Sequence, residues 1–412
     1  MQGKTICLIG WLLVNSLLAS AQSPVTVNFP GVSKPVLLTD TSKGHLFASY
    51  YGINSWSKNE RYVTVLETDV ATRIPTASDT ATLGLVDLKT RAFIPVAQTT
   101  AWNLQQGCMA HWLATNPDSV IIYNDYRRGK FVSVILNVFT RKEVKVLPYP
   151  VAAVSPNGKE AVSVNFARLR LTRADYGYDG TGQDAKAGVA FPDDDGVFLI
   201  DLQTGKSKLI LSFAQLKDQV PAITKAGGIE YIGHILFSRG GSSLFFLARA
   251  IPDWNTTSFT MKTDGSHLQR CFPDKWGGSH FDWLTDTDLM ITANYEGKQY
   301  GHILFTPGQK NYERLGNGLL DYDGHGTFSP DGRWMVTDTY PVADTRDQKI
   351  FLLDMKSQAA LALGRYSSPA AYTSGWRCDI HCRWSPSGTM IGFNSAHSGT
   401  RQVYIMKLNS SH

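Results

Sequence analysis

A pattern of about fifteen residues recurs seven times along the chain, and it constrains the fold more than any other feature. Each copy opens on a small or apolar residue, often followed by His, and continues as a short apolar strand, a turn and a second apolar strand. Gly52 opens GINSWSKNERYVTVL, Ala110 opens AHWLATNPDSVIIYN, and Pro150 opens PVAAVSPNGKEAVSVN. Gly233 opens GHILFSRGGSSLFFLA, Ser279 opens SHFDWLTDTDLMITA, Gly324 opens GHGTFSPDGRWMVTD, and Ile380 opens IHCRWSPSGTMIGFN. Between the copies lie further strand pairs such as LGLVDLKTRAFIPV, VFLIDLQTGKSKLIL and KIFLLDMKSQAALAL. Their D-x-x-T-G and D-G turns between alternating apolar runs mark hairpins. Two hairpins make a four-stranded sheet, and such a unit repeated about every 40 to 60 residues is a propeller blade. The expected fold is all-β, a seven-bladed β-propeller with four-stranded antiparallel blades. The last copy has about three strands, so residues 25–29 or 35–38 are expected to supply the fourth and close the ring, which removes free sheet edges. Helical periodicity is weak; residues 211–220 are the only plausible short helix.

The 412 residues are 43% hydrophobic and 18% charged, an ordinary globular balance. Lys4, the apolar stretch 6–18 and Ala19-Ser20-Ala21 read as a secretory signal over residues 1–21. Residues 22–412 are then expected to form a single exported domain, secreted or periplasmic, with no further run long enough to span a membrane. The net charge of +5 is spread along the chain without a basic stripe, which argues against nucleic acid and leaves room for an anionic substrate. A monomer is expected. Cys7 lies in the signal, leaving Cys108, Cys271, Cys378 and Cys382, too few for a disulfide framework.

Copies three and four are separated by the longest spacer. Its excess, residues 166–195, carries Arg168, Arg170, Arg173, Tyr176 and Tyr178. So aromatic a stretch is expected to be a packed loop over the central pocket. Five copies place His second: His111, His234, His280, His325 and His381. That position enters the innermost strand, so these residues are expected to ring one end of the channel. His280, His325 and His381, from consecutive blades, suit a divalent metal, and a thiolate from Cys378 would point to zinc. The rival reading is a disulfide among the cysteines and no metal. His111 and His234 are expected near the long loop. A His, a Tyr and an Arg in one pocket suit β-elimination beside a uronic acid carboxylate: a cation neutralises the carboxylate, a base takes the C5 proton, and an acid protonates the leaving oxygen. No G-x-S-x-G, phosphate-loop or dinucleotide motif is present.

The motifs RYVTVLETD, AWNLQQGCMAHWL, AVSPNGKEAVSVNFARLRLTRADYGY, GGSHFDW, DYDGHGTFSPDGRWMVTDTYP and WRCDIHCRWSP resemble the seven-bladed ulvan lyases of marine bacteria and, more distantly, the oligogalacturonate lyases. The resemblance covers residues 52–408. It implies a lyase acting on a sulfated rhamnose–uronic acid polymer and leaving an unsaturated uronate. It implies catalytic roles for His111 and Tyr176, with His234 lining the pocket and Arg173 neutralising the carboxylate. Tyr178, Arg168, Arg170, Arg249 and Lys130 are the further substrate-binding candidates. A structural metal would fall on His280, His325, Cys378 and His381. Two other readings stand beside this one: a metal-dependent lyase of another polyuronate, and a non-catalytic glycan- or protein-binding propeller.

Overall fold

Seven antiparallel sheets account for the strands of the computed structural model, which describes residues 29–180, 184, 186–220, 231–250, 255–272, 277–294 and 300–409. Six sheets hold four strands in chain order, from Gly44–Phe47, Tyr62–Thr68, Ala81–Asp87 and Phe93–Thr99 in blade 1 to Thr327–Phe328, Trp334–Asp338, Asp347–Asp354 and Ala360–Ser367 in blade 6. First strands of successive blades approach one another, as Gly277–Trp283 does Thr327–Phe328 and Thr327–Phe328 does Arg383–Trp384, so these strands line the central channel. We call the end where they begin the upper mouth.

Burial explains the sequence pattern from the inside out. Ser243–Ala250 in blade 4 reads SLFFLARA and is buried from Leu244 onward, because neighbouring blades cover both faces of the second strand. The outermost strand of blade 2, Lys142–Leu147, reads KEVKVL and is mostly exposed. Its lysines and glutamate keep that edge from pairing with another chain.

In blade 7, Gln402–Asn409 is the last strand of the chain. Gly31–Val32 and Val36–Leu37 both pair with it, in the registers Gly31↔Asn409 and Val36↔Ile405. The ring therefore closes through residues 35–38, one of the two expected segments; residues 25–28 of the other lie outside the described residues, as does the signal.

Tryptophans staple neighbouring blades. Trp112 Nε1 donates to the Ser55 carbonyl at 3.0 Å, and Trp384 Nε1 donates to the Thr327 carbonyl at 3.0 Å. In each pair an inner-strand Trp reaches a backbone carbonyl of the preceding blade.

Three local expectations are corrected. The inner strand of blade 1 starts at Gly44, before the first repeat copy. It pairs with Tyr62–Thr68 from Gly44↔Thr68 to Phe47↔Val65, and regains that partner only at Trp56↔Val63. Between them residues 48–55 leave the sheet and enter the channel, a break that a strand pattern does not announce. The spacer after blade 3's second strand begins with a helix, Phe166–Thr172, capped by Asn165 Oδ1 accepting from Arg168 N. The other helix, Phe213–Leu216, falls within 211–220 as expected and carries a capping box from Ser212 and Gln215. Finally, Cys108, Cys271, Cys378 and Cys382 are all buried free thiols, which removes the disulfide reading.

Trp384→Phe keeps the ring and removes one blade-to-blade hydrogen bond, while the Thr327 carbonyl keeps its place in the sheet opposite Val336. A loss of about 0.5–1.5 kcal/mol in urea unfolding is expected, with an unchanged fold by circular dichroism.

Candidate active site at the upper mouth of the channel

The excursion 48–55 sets the floor of the upper mouth. Arg383 holds it from blade 7: Nη1 donates to the Ser49 carbonyl at 3.0 Å and to Ser55 Oγ at 3.0 Å, and the guanidinium lies 4.0 Å from the Phe47 ring centroid. Gly107 lets a second loop close on it, since a Cβ there would meet the Ala48 carbonyl carbon at 2.5 Å and its φ is +61°. The result is that Tyr50 and Tyr51 stand across the channel. Tyr51 Oη accepts a hydrogen bond from the Phe281 backbone N–H of blade 5 at 3.1 Å. Tyr50 packs edge-on against His234 and His381, and Tyr51 against His325.

Above this floor His280, His325 and His381 converge as expected, with ring centroids 4.0 Å apart between the first two and 4.3 Å between the last two. All three are buried. Burial depresses each imidazole pKa, that of His325 to about 4, so all are neutral at pH 7. Carboxylates orient two of them. His325 Nδ1 lies 2.8 Å from Asp338 Oδ1, and His280 Nδ1 lies 2.9 Å from Asp323 Oδ1. Asp338 is buried, its pKa pushed up to about 7 by desolvation, yet it also accepts the backbone N–H of His325 and of His381. Desolvation also acts to raise Asp323, but His280 and His325 outweigh it and hold this carboxyl at about 2. Tyr340 Oη lies 3.2 Å from His280 Nε2 and 3.5 Å from His325 Nε2.

This is how proteins prepare a metal site: a carboxylate fixes Nδ1 and leaves Nε2 to coordinate. Donor atoms of His325, Asp379 and His381 all lie within 4.8 Å of one another. His381 Nε2 is buried without a hydrogen-bond partner, 3.9 Å from Asp379 Oδ2, which is ion-paired with Arg377 Nε at 2.8 Å. A buried imidazole acceptor left unpaired beside a carboxylate is costly unless a donor or cation reaches it, so these residues fit a divalent ion, with His280 beside them. Cys378 does not belong to the set. It packs against Tyr372 and Ala396, and burial pushes its thiol up to about 11. Its neighbour Asp379 supplies the third donor instead. Without a thiolate the particular reason for zinc disappears; nitrogen and carboxylate donors suit manganese as well.

The helix Phe166–Thr172 and the turn after it bring Tyr176 to the same mouth. Gly177 permits this close return, because a Cβ there would meet Arg170 N at 2.1 Å. The Tyr176 ring lies 5.3 Å from His234 and 6.1 Å from Tyr50, with the Arg173 guanidinium 4.4 Å from its centroid. Burial raises the Tyr176 pKa, opposed by the charges of Arg377 and Arg173. His234 is only partly covered, and its pKa is held well below 6.5, first by desolvation and then by Arg249. Arg173 Nε and Nη2 donate to Asp175 at 2.9 and 2.8 Å. Arg377, which the repeat pattern did not single out, donates through Nε to Asp379 Oδ1 at 3.1 Å and through Nη1 to the Ser374 carbonyl. Its side chain is 21% exposed, and Nη2 has no hydrogen-bond partner in the protein among the described residues.

Other expected site residues are structural. Tyr178 is buried, stacked on Phe166 at 4.3 Å, and its Oη accepts from Asn124 Nδ2. Arg168 donates to the Val189 carbonyl and covers the Phe213 ring, tying down the long insertion. Arg170 donates to the Ala174 carbonyl and lies 3.6 Å from Asp179. Arg249 joins Tyr231 Oη to the Gly278 carbonyl across blades 4 and 5. Lys130 is exposed at a tight turn.

His111 also requires correction. The residue after each inner-strand Trp or Phe makes the same turn hydrogen bond: Leu113 N to Val120 O, Ser238 N to Ser243 O, Leu284 N to Asp288 O, Ser329 N to Trp334 O, and Ser385 N to Met390 O. Aligned on that bond, His234, His280, His325 and His381 are equivalent, and their blade 2 counterpart is Met109. Met109, His234 and His381 even share a φ of +52°, +54° and +51°. His111 comes two residues later, about 6.6 Å further down the strand. It lines a different chamber, below Tyr50 and Tyr51.

No protein-family model and no curated protein sequence matches this chain. Solved structures do. An oligogalacturonate lyase from Vibrio parahaemolyticus superposes with a TM-score of 0.64 at 13% identity, covering 93% of this chain and 99% of its own. An oligogalacturonate lyase in complex with manganese gives 0.67 at 15% identity, covering 91% and 93%. The β-propeller domain of Myceliophteria thermophila Cps50 gives 0.51 at 9%, covering 89% and 100%. At these identities the likeness is one of fold, shared by lyases and by propellers of other kinds.

His325→Ala and His381→Ala are each expected to abolish stoichiometric manganese or zinc binding, measured by elemental analysis after dialysis. Asp338→Asn should weaken it about 10–100-fold. Cys378→Ser should leave it intact. Coordination needs neutral imidazoles, and burial lowers their pKa, so metal should be retained as pH falls through 6.5 and released only on approach to about 4.

Proposed function

We propose that the chain is an exported polysaccharide lyase that cleaves a polyuronate by β-elimination at the upper mouth, with ulvan as the favoured substrate. The observation that carries the reading is Arg377 Nη2: a partly exposed guanidinium edge with no protein partner among the described residues, bonded through Nε to Asp379 of the histidine–carboxylate cluster and close enough to Tyr176 to act on its hydroxyl, with the neutral His234 packed against the Tyr176 ring. Elimination asks for this combination. A cation must neutralise the uronate carboxylate so that the C5 proton becomes acidic. Arg377 takes that role in place of Arg173, which spends two nitrogens on Asp175. A divalent ion held by His325, Asp379 and His381 would add positive charge at the same mouth.

His234 is the proton acceptor, since its depressed pKa keeps the imidazole neutral at pH 7. Tyr176 is the proton donor; burial keeps its hydroxyl protonated. His234 takes the C5 proton, the electron pair forms the C4–C5 double bond, the C4–O bond breaks, and Tyr176 protonates the leaving oxygen. Atoms and charge balance with no co-reactant. The ulvan preference rests on the sequence motifs; the fold neighbours named as oligogalacturonate lyases favour polyuronate cleavage as the reaction class.

The test is incubation with ulvan, oligogalacturonate and other polyuronates while following the far-ultraviolet absorbance of the unsaturated product. Tyr176→Phe and His234→Ala should each lower kcat about 10²–10⁴-fold. Arg377→Ala should lower kcat/KM about 10²–10³-fold, partly restored in Arg377→Lys. The acid limb of kcat/KM should lie below pH 6.5, because activity is lost only when His234 protonates and its pKa is depressed. Absence of unsaturated product from every polyuronate would leave a binding propeller as the function.

A further inference from the structure

A cavity of about 510 Å³ lies at the opposite end of the channel, below Tyr50 and Tyr51. That falls within the roughly 300–1,000 Å³ of small-molecule pockets. Trp112, Phe237, Trp283, Phe328 and Trp384 wall it from equivalent positions of five blades, and prolines of the turns rim it. Mostly apolar walls with a few polar groups are the usual composition of such pockets.

Two of those polar groups are unsatisfied. His111 is 6% exposed and Arg383 is 2% exposed, and both line the cavity. His111 Nε2 and Arg383 Nη2 are each buried without a hydrogen-bond partner. By the turn hydrogen bonds given above the two residues are equivalent, so they stand at one depth in blades 2 and 7, with Ser55 of blade 1 between them. Their chemistry differs. Arg383 donates to neutral acceptors, the Ser49 and Tyr50 carbonyls and the Ser55 hydroxyl among them, and among the described residues no carboxylate pairs with it. The chamber's own carboxylate, Asp282, accepts the backbone N–H of Trp283 and of Phe328 instead. Arg383 thus offers a cationic donor. His111 Nδ1 lies 2.7 Å from the Met109 carbonyl, which can only accept. Nδ1 must therefore carry the proton, and burial, which lowers this pKa to about 4, keeps the ring neutral. Nε2 is left as an acceptor, and an acceptor seeks a hydroxyl.

We propose that the lower chamber binds a small hydroxy-carboxylate of sugar-acid type, its carboxylate on Arg383 Nη2 and a hydroxyl donating to His111 Nε2. The tryptophan walls suit the apolar face of a sugar ring, and the exposed Lys58 at the rim adds to the attraction for an anion. The site stands whether or not the upper mouth is a lyase.

The probe is D-galacturonate, with acetate lacking the hydroxyls and D-galactose lacking the charge, followed by calorimetry and tryptophan fluorescence on the full chain. One class of galacturonate sites should survive Arg377→Ala, which alters only the upper mouth, and weaken at least about tenfold in His111→Phe. Acetate should bind that class at least about tenfold more weakly, and galactose not at all. Loss of the class in Arg377→Ala, indifference to His111→Phe, or no binding up to about 20 mM would overturn the proposal. Should His111→Phe fail to fold, Lys58→Glu decides on an exposed side chain: severalfold weaker binding supports the chamber, and unchanged binding excludes it.

Discussion

The guanidinium of Arg383 is the hinge of this molecule's design. A buried cation is expensive unless hydrogen bonds replace its water. Here the replacing acceptors come from the excursion 48–55, so the cost of burying Arg383 is met by folding that segment across the channel. Desolvation lowers the guanidinium pKa only to about 9, so the side chain stays charged at neutral pH. With the excursion in place, Tyr50 and Tyr51 divide the channel in two. Above them lies a cluster of neutral imidazoles and carboxylates; below them lies an aromatic chamber.

The upper mouth is also a study in compensated burial. Asp338 is fully covered and would favour protonation, yet four groups aim at it: His325 Nδ1, two backbone N–H groups and, more distantly, His280. It fixes His325 and, through the His381 backbone, the start of blade 7's inner strand. Within this cluster His381 Nε2 is left without a donor, beside the Asp379 carboxylate. A buried acceptor left unpaired in an otherwise bonded cluster calls for a partner from outside it.

The blades were legible in the sequence because a propeller repeats its burial pattern, and hairpin turns punctuate it. The excursion in blade 1 was not, since Tyr50, Tyr51 and Ile53 are apolar enough to pass for strand residues. Counting His at the second position of each copy found four equivalent residues and one impostor; His111 differs from them by two residues, a shift that keeps it on the same strand face and so leaves the alternation intact. A better signal was present in Asp323-Gly324-His325 and Asp379-Ile380-His381, the same D-x-H in consecutive blades. It singles out Asp379, the candidate ligand, over the neighbouring Cys378. Arg377 was invisible for a different reason: its role depends on which of its nitrogens the fold leaves unused.

Blade 7 joins the first described residues to the last, Gly31 to Asn409. Every other sheet is assembled from strands close in sequence and can form as its own segment collapses. This one must wait for a contact that spans almost the entire polypeptide. Loop closure over such a length costs more than a local hairpin, though only logarithmically more, and until it happens the strand Gln402–Asn409 presents an unpaired edge. The vulnerable species is thus a nearly complete ring lacking its latch, long-lived at low temperature and prone to pairing with its own kind at high concentration. Once the latch is shut, the same topology works in reverse: opening any blade strains six others, and unfolding must begin at one seam.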